Sequence, residues 1–245
     1  MDPLTGAAAS GLRTSLESLD MLANNLSNVT TTGYKTDREF YDLYTSNDAL
    51  EPGAYDPTQM PTIQKNWTDF SQGLLQHTGN NLDVGILGEG FIAVSGPSGK
   101  LYTRNGAFLL STSGQLITQE GYPVRDRNGS PIQVDPTKSV EIDTRGGVHQ
   151  AGQPVGQMDL VSFTDMHALS KQGATYFQFN GPDTDIRQAA GEVQQGRIEG
   201  SNVGSAESAV RLVSVMRQFE MLQKAISIGT DMNKEALEEV ARSGQ

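Results

Sequence analysis

The chain has 245 residues, 18 of them Lys or Arg against 29 Asp or Glu, for a net charge of −11, and it contains no Cys. A chain of that length can bury a substantial core without a metal or disulfide, and the missing Cys excludes thiol catalysis and Cys-based zinc sites. The acidic balance, which no Lys/Arg cluster interrupts, repels phosphate backbones and anionic lipid, so nucleic acid is not an expected partner.

No stretch approaches the roughly 20 apolar residues of a membrane span, so no membrane insertion is expected. Residues 1–11 lack both the basic region and the continuous apolar run of a cleaved signal peptide, so export would need another route.

Residues 2–29 carry Leu12, Leu16, Leu19, Ala23 and Leu26 at alternating four and three residue spacings, with Arg13, Glu17, Asp20 and Asn24 opposite them. This predicts an amphipathic helix with the leucines as its seam. Composition then changes from helix formers to turn formers through Asn24, Asn25, Leu26, Asn28, Thr31, Thr32, Gly33 and Tyr34. Asn and Thr side chains compete for backbone hydrogen bonds, and Gly33 is free to take a positive φ, so a helix end and a sharp turn are expected. The Thr triplet would need an adjacent base to act as a nucleophile, and the sequence arranges none around it.

Residues 1–35 therefore form a first segment, and 36–81 read as an extended arm and linker. Pro52, Gly53, Pro57 and Pro61 loosen 46–62, and Trp67 and Phe70 restart apolar packing. From 82 to 190 the period changes to short apolar runs at 91–94, 108–110, 115–118, 132–134, 140–142, 158–163 and 176–179. Gly-Pro-Ser-Gly, Arg-Asn-Gly and Thr-Ser-Gly turns separate them, which predicts hairpins in a β-rich domain. Residues 191–200 read as a polar connector into the last segment, 201–245.

That last segment runs without proline from 205 onward and places Leu212, Val215, Phe219, Leu222 and Ile226 on one helical face. Val213 and Met216, then Met221, Ile228 and Met232, extend its apolar surface to other sides, so this helix calls for more than one neighbour. The expected fold class is α+β: two long terminal helices paired in a coiled-coil-like domain, bracketing a central all-β domain.

Chemistry-bearing patterns are few. Gly88, Gly90 and Ala93 satisfy a loose dinucleotide fingerprint, but 91–94 reads as a strand where that motif needs a helix. His77, His149 and His167 share no metal-ligand spacing, and Asp183, Asp185 and Glu192 lack the twelve-residue calcium pattern. No catalytic, cofactor or metal site and no small-molecule substrate is expected. A wall-cleaving enzyme built on two carboxylates stands as the rival from another class, although no pair singles itself out.

The run ANNLSNVTTTGYK closely resembles the N-terminal motif of the flagellar rod and hook protein family. Gly200, Ser201, Asn202 and Val203 resemble its C-terminal motif, as do Arg217, Phe219, Glu220 and Lys224 in the helix that follows. LDVGILGEGFIAV and LYTRNGAF resemble the family's β-domain in the same order. Ser27, Thr30 and Gly204 depart from the pattern at turn and cap positions. The triplet Phe219-Glu220-Met221 points within the family to a proximal rather than a distal rod member.

The resemblance implies a non-catalytic subunit of the periplasmic rod in the basal body, exported by the flagellar type III apparatus without a cleaved signal peptide. Its implied partners are other rod proteins and copies of itself, with no cofactor. The turn residues and Ser201, Asn202 and Val203 are the expected assembly motif, and the two helical seams are the expected polymer contacts. The helices are expected to order fully only on assembly.

Overall fold

The computed structural model describes residues 3–44, 60–97 and 99–243. Its contacts divide the chain into two units. One comprises Met1–Ser27, Asp37–Trp67 and Gly204–Gln245, and the other Asn28–Thr36 and Thr68–Val203.

The first unit holds helix α1, Pro3–Ser27, helix α2, Ser205–Ser243, and two paired strands, Asp37–Tyr44 and Met60–Thr68. At about 1.5 Å per residue the 39 residues of α2 extend roughly 58 Å. Glu207 in its first turn and Arg242 in its last turn complement the helix dipole. The two helices pack against each other, with Gly11 facing Leu222. Arg211 of α2 meets Glu39 of the first strand at 3.3 Å. Most of the stretch expected as a linker, 46–62, lies outside the described residues. Its last three positions already belong to Met60–Thr68, so the arm on either side of it is a strand pair.

The second unit is antiparallel β. Its largest sheet has six strands in the order Leu169–Lys171, Tyr176–Phe179, Gly99–Thr103, Phe91–Gly96, Leu160–Phe163 and Ile186–Gln188. The central strand is buried on both faces. Ile92 and Val94 join one apolar cluster with Leu101, Phe108, Leu116 and Val148, while Phe91 and Ala93 join a second with Tyr102, Phe163 and Phe177. Successive side chains point to opposite faces, so one short strand serves two cores. The second core is aromatic, with Phe70 edge-on to Phe91 at 5.6 Å and to Phe177 at 5.1 Å between ring centroids.

The expected strands at 91–94, 140–142 and 176–179 are present, and those at 108–110, 115–118 and 158–163 are shorter. The run 132–134 forms no strand and contributes bridged backbone and the buried side chains of Ile132 and Val134. Gly88 and Gly90 precede the strand Phe91–Gly96 rather than a helix, so the dinucleotide reading fails on geometry.

Residues 191–200 are not a connector. Glu192–Gln195 pairs with Val84–Leu87 and Arg197–Glu199 with Leu75–His77. These strands escape a hydropathy reading because their buried positions include Glu199, whose burial depends on partners distant in sequence.

Candidate assembly site

The two helices differ in how they use their apolar residues. In α2, Leu212, Val215, Phe219, Leu222 and Ile226 are half-buried, and the residues between them are exposed. In α1 the covered side is Ser15, Ser18, Met21, Leu22 and Asn25. The leucine seam is one position out of phase with it: Leu12, Leu19 and Leu26 are half-buried, and Leu16 is 49% exposed. A shift of one residue rotates the face by about 100°.

Small side chains explain the shift. A Cβ on Gly11 would lie 3.2 Å from Cδ1 of Leu222, and the Ser15 hydroxyl is turned back onto the Gly11 carbonyl at 2.8 Å. A face of Gly and Ser admits the larger side chains of α2 at close range, while a row of leucines holds the backbones apart.

Several large apolar side chains of α2 remain outside, among exposed polar ones. Val210, Met221 and Met232 are 72%, 66% and 65% exposed, and Val213, Met216 and Ile228 add to the same helix. Ala209, Val210, Val213, Arg217 and Met221 line a shallow groove along it.

Around the turn, Asn24 is exposed and its carbonyl accepts the Ser27 hydroxyl at 2.9 Å. Asn25 is buried. It donates from Nδ2 to the Asp37 carbonyl at 2.8 Å and accepts the Asp37 amide at Oδ1 at 3.0 Å, tying α1 to the first strand of its own unit.

The remaining turn residues belong to the β unit. Asn28 accepts the Thr31 hydroxyl at 3.1 Å, and Thr32 donates to Asn105 Oδ1 at 2.9 Å. Gly33 has φ of 70°, and a Cβ there would sit 2.3 Å from the Asn105 amide nitrogen, so only glycine fits. Its N–H donates to the Glu199 carbonyl at 2.7 Å. Tyr34 is buried, with the Lys171 ammonium 4.3 Å from its ring centroid.

Ser201, Asn202 and Val203 do not cap α2. The first helical amide bond, from Ser208, goes to the Gly204 carbonyl. Asn202 instead accepts the Thr36 amide at 2.8 Å and donates to the carbonyls of Asp69 at 2.8 Å and Ser71 at 3.1 Å. Ser201 accepts the Val203 amide at 3.2 Å, and Val203 is buried. The assembly motif named from sequence is therefore divided: Asn24, Asn25 and Leu26 serve the helical unit, and the rest serve the β unit.

Hydropathy does not reveal the ionic centre of that β unit. Glu199 Oε1 meets Lys35 Nζ at 2.6 Å and Oε2 meets Arg104 Nη1 at 3.0 Å, with side-chain exposures of 0% for Glu199, 0% for Lys35 and 4% for Arg104. The Gly73 amide adds a bond to Oε1 at 2.9 Å, and Lys35 and Arg104 also donate to the carbonyls of Ser71 and Gly88. Desolvation holds the Lys35 ammonium below the usual lysine range, against the pull of Glu199.

The only sequence signal is a Lys ending the Asn/Thr turn and a Glu inside a polar stretch, and neither identifies the other as its partner. The cluster is closed around its own charges and leaves no open nucleophile or base.

One unit thus leaves apolar side chains of α2 uncovered, and the other encloses an ionic centre. Three family descriptions match the chain: "Flagella basal body rod protein" over residues 7–35, "Flagellar hook protein FlgE/F/G D1 domain" over 85–150, and "Flagellar basal body rod FlgEFG protein C-terminal" over 194–239.

The flagellar basal-body rod protein FlgG of Borreliella burgdorferi is 32% identical over 92% of this chain and 94% of its own length. FlgF of Caulobacter vibrioides is 29% identical over 91% and 92%, and FlgF of Mesorhizobium japonicum 31% identical over 82% and 83%. The chain belongs to the flagellar basal-body rod protein family. Proteins of this family are structural, and the wall-cleaving alternative is set aside.

Proposed function

We propose that the chain is a subunit of the proximal part of the flagellar rod, like FlgF, and joins it through its two terminal helices. The observation that carries this is the apolar surface of α2 left uncovered after α1 has packed on it, from Val210 to Met232. Fully burying a Val, Ile or Met side chain contributes roughly 1.5–3 kcal/mol, so several such residues meeting neighbours would stabilise a polymer strongly. In this reading α1 and α2 form a coiled-coil-like layer lining the tube. The leucines of α1 and the outer face of α2 meet other rod proteins and copies of the chain. The subunit leaves the cytoplasm through the flagellar export apparatus, without a cleaved signal peptide.

Val213→Asp with Met221→Asp tests the interface, because both residues are exposed and their replacement leaves the α1 contact untouched. The doubly substituted chain is expected to fold with unchanged thermal stability and to be absent from isolated basal bodies. Incorporation at the normal level would refute the interface.

The proximal position rests on the triplet Phe219-Glu220-Met221, and relatives of both kinds are similar to this chain. Expression in a strain lacking FlgF is expected to restore swimming, and expression in a strain lacking FlgG is not. The reverse result would assign the distal rod.

A further inference from the structure

The ionic cluster of the β unit joins segments that are far apart in the chain. Lys35 and Glu199 are separated by 164 residues, and Arg104 and Glu199 by 95. One carboxylate serves two cations, and all three side chains are withdrawn from water. Arg104 has anchors in the sheet region besides Glu199, namely the Gly88 carbonyl and the Phe91 ring 5.2 Å away. Lys35 differs, because it lies on a nine-residue turn and strand-free run, 28–36, that can stay in water with its ammonium hydrated. Moving that ammonium into the cluster without Glu199 would bury a second cation beside Arg104 with no counter-charge, which is strongly unfavourable.

The backbone repeats the dependence. The Gly33 amide donates to the Glu199 carbonyl at 2.7 Å and the Thr36 amide to the Asn202 side chain at 2.8 Å. Seating this turn requires 199–202 for charge and for hydrogen bonds alike.

We propose that Lys35, Glu199 and Arg104 form a completion lock, in which the turn 28–36 seats on the β unit only after strand Arg197–Glu199 has paired with Leu75–His77. A chain delivered from its N-terminus would then keep the turn that follows α1 unseated until the end of its β unit had arrived. The lock is a property of the β unit and does not depend on the rod reading.

Hydrogen exchange on the full-length protein tests it. Glu199→Gln keeps the shape of the side chain and removes its charge. It is expected to reduce protection of the Gly33 and Thr36 amides on the order of 100-fold, while Ala93 in the sheet and Val124, bridged to Val94, keep theirs. Lys35→Met combined with Glu199→Gln removes the stranded cation and should bring Gly33 and Thr36 back to within about tenfold of the native level. Pulse labelling during refolding of the unmodified chain should show Gly33 gaining protection with or after residues 197–199. Undiminished protection in Glu199→Gln, failure of the double variant to recover it, equal loss at Ala93, or earlier protection of Gly33 would each overturn the proposal.

Discussion

The two units handle their apolar residues in opposite ways. The β unit buries most of its large apolar side chains and even its ionic cluster, with Leu74, Leu87, Leu109 and Val155 as the exposed exceptions, whereas the helical unit leaves much of α2 in contact with solvent. The contrast shows where each unit's stability comes from. Phe91, Phe177 and Leu116 have all their neighbours within the chain. Val210, Met221 and Met232 do not, so the helical unit contributes to folding less than its hydrophobicity suggests and has apolar area in reserve for association.

Substitutions sharpen this difference. Phe177→Ala, at a fully buried ring in the aromatic core, should cost about 3–5 kcal/mol by denaturant unfolding of the β unit. A loss below about 1 kcal/mol would mean that this core relaxes easily. Gly33→Ala forces a side chain into a left-handed conformation against Asn105 and should cost about 1–3 kcal/mol or more, again read on the β unit.

The buried lysine adds a pH signature. Between its lowered pKa in the folded state and the unfolded value near 10.5, the unfolded chain binds the additional proton, so Lys35 makes stability rise with pH across that window. Tyr102 and Tyr176, both raised by burial, act in the opposite sense above about 10. The difference between native and Lys35→Met unfolding curves isolates the lysine: it should change with pH below 10.5, and a pH-independent difference would contradict the lowering of its pKa by burial.

In the helical unit the expected effects are smaller or of opposite sign. Gly229 sits within α2, where an added Cβ meets open space, so Gly229→Ala should stabilise the helix by roughly 0.5–1 kcal/mol in thermal circular dichroism. Val210→Asp should leave folding stability within about 0.5 kcal/mol of the native value, since that side chain is mostly in water. A large loss in that variant would show that the outer face of α2 already has a partner within the chain.

The boundary between the units matters for any separated fragment. A piece cut at 36 and 200 would remove Lys35, Gly33 and Asn202 from the β unit that they complete. A fragment of 28–203 keeps the cluster and should retain the unfolding midpoint that the shorter one loses.

The sequence by itself determines the two long helices, the change to short strands between them and the half-buried face of α2, because periodicity is local and a 3.6-residue repeat of large apolar groups has one reading. It also carries the family, through a turn and a β-domain motif whose order is preserved. Only the tertiary structure decides which side of α1 is covered, since close approach favours Gly11, Ser15 and Ser18 over the leucines beside them. It alone makes 191–200 into two strands, separates Asn25 from Gly33 into different units, and brings Glu199 to Lys35. Those outcomes depend on desolvation and on partners up to 164 residues away, and nothing local to either residue encodes the other's position.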